Sequence, residues 1–274
     1  MSDGLSEDIP DPFAVRMSQD YILETRQLSK EFKGFVAVDH VDLRVRRGSI
    51  HALIGPNGAG KTTCFNLLTK FLTPTSGQIL LEGRDITALS PVAIARQGVI
   101  RSFQISSVFP HLTVLENVCI ALQQRQMKTS FQFWRSERVL EQLHPRAYEL
   151  LREVDLEAYA AIPAVELSYG RKRALEIATT LAMDPQLMLL DEPTQGMGLE
   201  DVDRIRQLIK KVAAQRTVLM VEHNMSVVSS IADTITVLQR GAVLAEGPYA
   251  EVSQNPAVIE AYMGSASTTL QGAH

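Results

Sequence analysis

The chain has 274 residues, a formal net charge of -4, 45% hydrophobic side chains and two cysteines. That length buries a sizeable core, the charge balance gives no electrostatic footprint for DNA or RNA, and the most apolar stretch, Ile177 to Leu190, is interrupted by Asp184 and Pro185 before it spans a bilayer. Cys64 and Cys119 lie in apolar helical contexts without a CxxC or Cys/His partner, and the histidines are scattered, so buried thiols and a reduced, cytosolic compartment are expected.

Residues 1–20 carry Asp3, Glu7, Asp8 and Asp11, with interruptions by Gly4, Pro10 and Pro12 and neither a basic nor an apolar leader segment. They read as a disordered, uncleaved tail. From Tyr21, Ile22–Thr25 and then Val41–Val45 alternate apolar and polar side chains, which predicts antiparallel strands in a small β layer. Ile50–Ile54 is a buried strand by its continuous apolar run, and Cys64–Leu68 opens a helix. Between them Gly55, Pro56, Asn57, Gly58, Ala59, Gly60, Lys61, Thr62 and Thr63 match G-x-x-x-x-G-K-[ST] without a mismatch. Glycine lets such a loop bend back so that backbone N–H groups meet phosphates. Lys61 is then placed to neutralise the outer phosphates of a nucleoside triphosphate, and Thr62 to ligate Mg²⁺.

Beyond this helix, Thr73–Gly77 is a turn and Gln78–Glu82 a short strand. Between Thr113 and about Tyr159 helical periodicity takes over, in Val114, Leu115, Val118 and Leu122, in Val139, Leu140 and Leu143, and in Leu150, Leu151 and Val154. A helical subdomain over about 105–165 is therefore expected inside a sheet domain. Phe131, Phe133 and Trp134, near Arg135 and Arg138, read as core packing of that insert or as a partner-contact surface. Leu187–Leu190, Thr217–Val221 and Thr234–Leu238 are continuous apolar runs alternating with helical patterns, as central parallel strands require. The fold class is thus α/β, a P-loop NTPase parallel-sheet core with an N-terminal antiparallel β layer and an inserted α-helical subdomain.

Two further segments carry chemistry. Asp191 and Glu192 follow a buried apolar strand, where a P-loop fold delivers carboxylates to the phosphates: Asp191 to hold Mg²⁺ through its water shell, Glu192 to orient and polarise water. The alternative is that Asp191 caps the segment after Pro193 and Glu192 is a solvated charge. Leu167-Ser168-Tyr169-Gly170-Arg171-Lys172-Arg173 starts a helix with Ser168 at its N-cap, and the free N–H groups, hydroxyl, unhindered glycine and three cations make an anion site. Capping plus a solvated basic turn is the rival reading.

The order of segments is phosphate loop, Gln104 in Arg101-Ser102-Phe103-Gln104, Leu-Ser-x-Gly, Asp-Glu, and Val221-Glu222-His223 after another strand. This order resembles the ATP-binding subunit of an ABC transporter from about Tyr21 to Gly264. The LSGGQ signature stands here as Leu167-Ser168-Tyr169-Gly170-Arg171. That change, with Arg96–Gln104, Val221–Met225 and the ending Asn255–Tyr262, is similar to the branched-chain amino-acid and urea importer branch.

The resemblance implies an ATPase domain over 21–265 and a short tail over 266–274. It implies ATP and Mg²⁺ as cofactors, with Gln104 sensing Mg²⁺ and the attacking water, His223 contacting the γ-phosphate and Phe32 stacking on adenine. Their plainer readings are a loop amide, a strand-end hydrogen-bonder and edge packing. The implied assembly pairs two ATPase subunits, identical or paralogous, head to tail, so that Ser168, Tyr169 and Gly170 of one close on ATP held by Lys61 of the other. Membrane permease subunits docking near Ile105–Phe109, an indirect solute-binding protein, a peripheral place on the cytoplasmic face of the membrane and no nucleic acid complete the picture. Arg171 and Gly198 depart from the family's glutamine and D-loop aspartate, which puts coupling between the two sites in doubt. The rivals are the ATPase of another transport system, an ABC protein acting on nucleic acid or ribosomes, a small-molecule kinase and a binding-only module.

Overall fold

The computed structural model describes residues 20–102, 108–126 and 142–271. Its centre is a six-stranded sheet of β4 (Ile50–Ile54), β7 (Val99–Ser102), β8 (Leu187–Asp191), β9 (Thr217–Val221), β10 (Thr234–Gln239) and β11 (Ala242–Gly247), in the order β11-β10-β4-β9-β8-β7. All neighbours are parallel except β10 and β11. The continuous apolar runs are explained by burial on both faces. Met188, Leu190, Val218 and Met220 enter one core, whereas Leu187, Leu189, Leu219 and Val221, alternating with them, enter another.

The second core lies under α1 (Lys61–Leu68), α2 (Pro91–Arg96) and an antiparallel sheet of β1 (Tyr21–Phe32), β2 (Phe35–Val41), β3 (Arg44–Arg46), β5 (Ser76–Leu81) and β6 (Arg84–Asp85). The expected β layer is present, with corrected bounds. The alternation over Val41–Val45 is split at Asp42 and Leu43 between β2 and β3, because β1 pairs with β2 along its second half and with β3 along its first. β5 begins two residues earlier than the apolar pattern, since Ser76 still pairs with Ser29.

The first core is covered by α3 (Val114–Gln126), α4 (His144–Glu153), α5 (Tyr169–Ala182), α6 (Leu199–Ala213) and α7 (Met225–Ile231), and by the buried side of α9 (Pro256–Gln271), which comes after the short α8 (Tyr249–Val252). A capping box starts α3: Thr113 N donates to Glu116 Oε2 at 2.7 Å and Glu116 N to Thr113 Oγ1 at 3.2 Å. The insert is stapled by Val114 N to Ile162 O and Ala164 N to Leu112 O. Its Val118, Leu150 and Leu151 belong to the same cluster as Ile177 and Met188, so helices and sheet share one core. Helix α9 runs past residue 265 to Gln271, into the stretch read as a tail. Phe131, Phe133, Trp134 and residues 1–19 lie outside the described residues.

Candidate functional site

The phosphate-loop residues connect β4 to α1 at the carboxyl edge of the parallel sheet. Gly55, at φ +146°, faces β10 so closely that a Cβ would lie 2.2 Å from Leu238 O, and Gly60, at φ +100°, faces β2 with a Cβ 2.4 Å from Ala37 O. Both contacts are to backbone, so no side-chain adjustment relieves them. Asn57 and Gly58 are exposed, Pro56 half-buried and Ala59 buried. Lys61 folds back onto the loop, donating from Nζ to Gly55 O at 2.7 Å and Pro56 O at 2.9 Å. Burial lowers its pKa below the ordinary lysine value and the Glu192 carboxylate pushes it back up, so the two groups feel one another. Thr62 is exposed and Thr63 half-buried at the start of α1.

Asp191 ends β8 and is buried; its carboxylate pairs with Arg101 Nη2, and Arg101 Nη1 donates to Asn66 Oδ1 of α1 at 2.6 Å. Thr62 and Asp191 are hard oxygen donors, the kind Mg²⁺ takes beside phosphate oxygens, so the residues present fit that ion. Gln104 lies outside the described residues; the preceding Arg101 and Ser102 of β7 are in register with Leu189 and Leu190 of β8.

Glu192 takes a left-handed backbone at φ +46°. For a residue with a long side chain this conformation costs on the order of 1 kcal/mol, and the surroundings impose it. Glu192 N donates to Val221 O at 2.9 Å, fastening the turn to β9. Its Oε1 lies 2.8 Å from His223 Nε2. The pair is a carboxylate and an imidazole at the same sheet edge as Lys61, an arrangement suited to orienting water and accepting its proton.

Three supports were not legible as such. Arg173, buried in the first turns of α5, donates to Asp191 O at 2.7 Å, Glu192 O at 3.1 Å and Pro193 O at 3.3 Å, and its Nη1 pairs with Glu176 at 2.5 Å. Glu222 is buried and accepts from Thr194 N at 3.0 Å, His223 N at 2.7 Å and Asn224 N at 3.0 Å, as well as from the Thr194 hydroxyl. It ties the His223 turn to the Glu192 turn. Tyr262 of α9 packs on the first core and hydrogen-bonds through its hydroxyl to the backbone of Gly55, while burial lifts its pKa to about 12. In the sequence only charge and position pointed to Arg173 and Glu222, and position alone to Tyr262, signals that solvated side chains share.

The Leu-Ser-x-Gly segment needs correction in three respects. Ser168 is the N-cap of α5 and exposed, but its hydroxyl makes no capping bond. Two of the three cations do not face the helix mouth: Arg173 turns inward as described, and Arg171 lies over the Tyr159 ring at 4.3 Å. Nor is Gly170 open, since a Cβ there would meet Asp201 Oδ1 of α6 at 2.2 Å. Tyr169 is exposed and donates to Gln195 O at 3.2 Å, joining this segment to the loop after Glu192.

Phe32 ends β1 with 41% of its surface exposed and Lys30 Nζ 5.1 Å from its ring centroid, so edge packing does not consume the ring. Phe109 is exposed, whereas Val108 packs against the first core. Cys64 and Cys119 are buried free thiols. Among the described residues, no helix is long and apolar enough to cross a membrane.

A family model described as "ABC transporter" matches residues 38–195, and one described as "Branched-chain amino acid ATP-binding cassette transporter" matches 242–267. The chain is 42% identical over 255 residues to the high-affinity branched-chain amino acid transport ATP-binding protein BraF of Pseudomonas aeruginosa, covering 89% of this chain and 98% of the relative. It superposes on a crystal structure of the ADP conformation of an ATP-binding cassette of an ABC transporter with a TM-score of 0.79 and 29% identity, covering 89% of this chain and 99% of that one. A dimeric cassette in a post-hydrolysis state, bound to ADP and Pi, matches with a TM-score of 0.69 and 27% identity, over 82% of this chain and 98% of that one.

Proposed function

The chain belongs to the ABC transporter ATP-binding family, and from that premise we propose that it is the ATP-hydrolysing subunit of an importer of branched-chain amino acids. The observation that carries the hydrolytic reading is the convergence of Lys61, Asp191, Glu192 and His223 at one sheet edge, with Glu192 fixed in a left-handed turn 2.8 Å from His223 Nε2. The C-terminal match over 242–267 and the name of the relative support the choice of solute class.

In this reading Lys61 leaves the carbonyls of Gly55 and Pro56 for the outer phosphates, and Phe32 meets the adenine face. Mg²⁺, when bound, supplies charge neutralisation at the phosphates; Thr62, Asp191 and Gln104 would hold it. Glu192 orients water and takes its proton, and His223 fixes the carboxylate and reaches the γ-phosphate. A second ATPase subunit brings its Ser168–Gly170 helix start over the nucleotide, with Asp201 withdrawing from Gly170 as phosphate arrives. Opening after hydrolysis moves permease subunits docked near Phe109, at the cytoplasmic face of the membrane. The ATPase domain spans 21–265 with its helical subdomain at about 105–165.

Replacing Glu192 by Gln is expected to preserve ATP binding while lowering turnover by about 10²–10⁴. Sedimentation is expected to find the Glu192→Gln form dimeric with ATP and monomeric without it. Undiminished turnover, or a monomer under both conditions, refutes the mechanism. Titrating the partner solute-binding protein with leucine, isoleucine, valine and urea tests the solute, and preference for urea overturns that part.

A further inference from the structure

The Asp191–Arg101 pair does more than fill the core. The two side chains are 6% and 11% exposed, so neither charge is stable there without the other. The same guanidinium donates to Asn66 of the helix that Lys61 opens and lies 5.8 Å from the centroid of the Phe65 ring. It is therefore anchored on three sides.

Charge balance gives this arrangement a consequence. A divalent cation approaching Asp191 alone meets the guanidinium as well as the carboxylate, and their fields largely cancel. Among the described residues, no group of three or more His, Cys, Asp or Glu side chains gathers to hold a metal without help. A triphosphate alters this by bringing several negative oxygens to the Lys61 loop. We propose that Arg101 is a positioning residue that makes divalent-cation binding at Asp191 conditional on the triphosphate, acting as the carboxylate's internal counter-ion until nucleotide arrives. The proposal rests on reading Asp191 as the Mg²⁺ carboxylate.

The test is Mn²⁺ titration monitored by electron paramagnetic resonance, with and without a non-hydrolysable ATP analogue. Wild type is expected to bind Mn²⁺ weakly alone and tightly with the analogue. Arg101→Gln is expected to gain at least about tenfold in affinity for Mn²⁺ alone, and Arg101→Lys, which keeps the charge, to stay near wild type. The proposal is overturned by an Arg101→Gln form no tighter than wild type, by Arg101→Lys as tight as Arg101→Gln, or by tight Mn²⁺ binding to nucleotide-free wild type. Where Arg101→Gln does not fold, Asn66→Leu releases one anchor while keeping both charges. It is expected to raise affinity for Mn²⁺ alone roughly threefold, by weakening the hold of Arg101 on Asp191, and an unchanged value overturns the proposal. Asp191→Asn separates the two readings: full Mn²⁺ affinity with the analogue in that variant removes Asp191 as the metal carboxylate, whatever Arg101 does.

Discussion

Replacing Arg173 by Met keeps the aliphatic volume and removes the guanidinium. The structure shows what is then lost: donors to Asp191 O at 2.7 Å, Glu192 O at 3.1 Å and Pro193 O at 3.3 Å, and the partner of Glu176 at 2.5 Å. Burial already raises the pKa of Glu176, with Arg173 opposing, so the orphaned carboxyl takes up a proton rather than remain charged. Breaking one side of a buried pair costs about 3–5 kcal/mol, and each carbonyl left dry adds on the order of 1 kcal/mol unless water reaches it. With water reaching the three carbonyls, the loss of about 4 kcal/mol that remains corresponds to a fall in melting temperature of roughly 8–16 °C for a chain of this size. Calorimetry on Arg173→Met, and on Arg173→Met with Glu176→Gln, reads this directly. The double variant is expected to recover about 1–3 kcal/mol, because no acid remains to be buried unpaired. Turnover should fall with stability, since the carbonyl of Glu192 loses a tether. A single variant within about 1 kcal/mol of wild type, or a double variant no more stable than the single, refutes the reasoning.

Separate features carry four other expected outcomes. His51, buried and hydrogen-bonded to Thr236 Oγ1 at 2.7 Å, has its pKa lowered by burial from 6.5 to about 4. The unfolded chain therefore binds more protons between those values, and stability falls by up to about 3 kcal/mol as pH drops from 6.5 to 4. His51→Gln should flatten that part of the profile in urea titrations, and an unchanged acid slope excludes His51 as its source. Gly55→Ala drives Cβ into Leu238 O and is expected to abolish nucleotide binding by equilibrium dialysis. Gly170→Ala meets the rotatable Asp201 side chain as its nearest neighbour, so its melting temperature should stay close to wild type while that of Gly55→Ala falls; equal falls in the two variants contradict the distinction. Tyr262→Phe removes the hydroxyl bonded to Gly55 and should cost about 1 kcal/mol and weaken ATP binding several-fold, measured by calorimetric titration.

The phosphate loop and the strands read over Leu187–Leu190, Thr217–Val221 and Thr234–Leu238, two of which extend one residue further, were readable because their signals are local: a fixed spacing, or an apolar run bounded by turns. β7 and β11 gave no such signal. Each is short and half-buried at a sheet edge, where Ile100, Arg101 and most of Ala242–Gly247 are only partly covered. The break between β2 and β3 depends on which part of β1 each meets, and that is a long-range fact. Arg173 illustrates the limit in the site. From sequence it is one of three adjacent cations, and only the packing of α5 against the end of β8 shows that it faces the carbonyls while Arg171 faces Tyr159. Glu222 was quoted for its neighbour His223, yet its own carboxylate has four donors within the two turns it joins.

The strand order has a bearing on biosynthesis. β4, which delivers the phosphate loop, sits between β9 and β10, and the loop's first glycine touches Leu238 and Tyr262. A ribosome that has made the loop must add well over half of the remaining chain before either flanking strand emerges. During that interval β4 has two unpaired edges and an apolar surface, the condition in which nascent sheets aggregate or recruit chaperones. Nucleotide capture is accordingly expected only late in synthesis. Stalled nascent chains ending before Thr217, which lack both flanking strands, should fail to retain an ATP analogue, and retention by such chains would show that the loop closes without its neighbours.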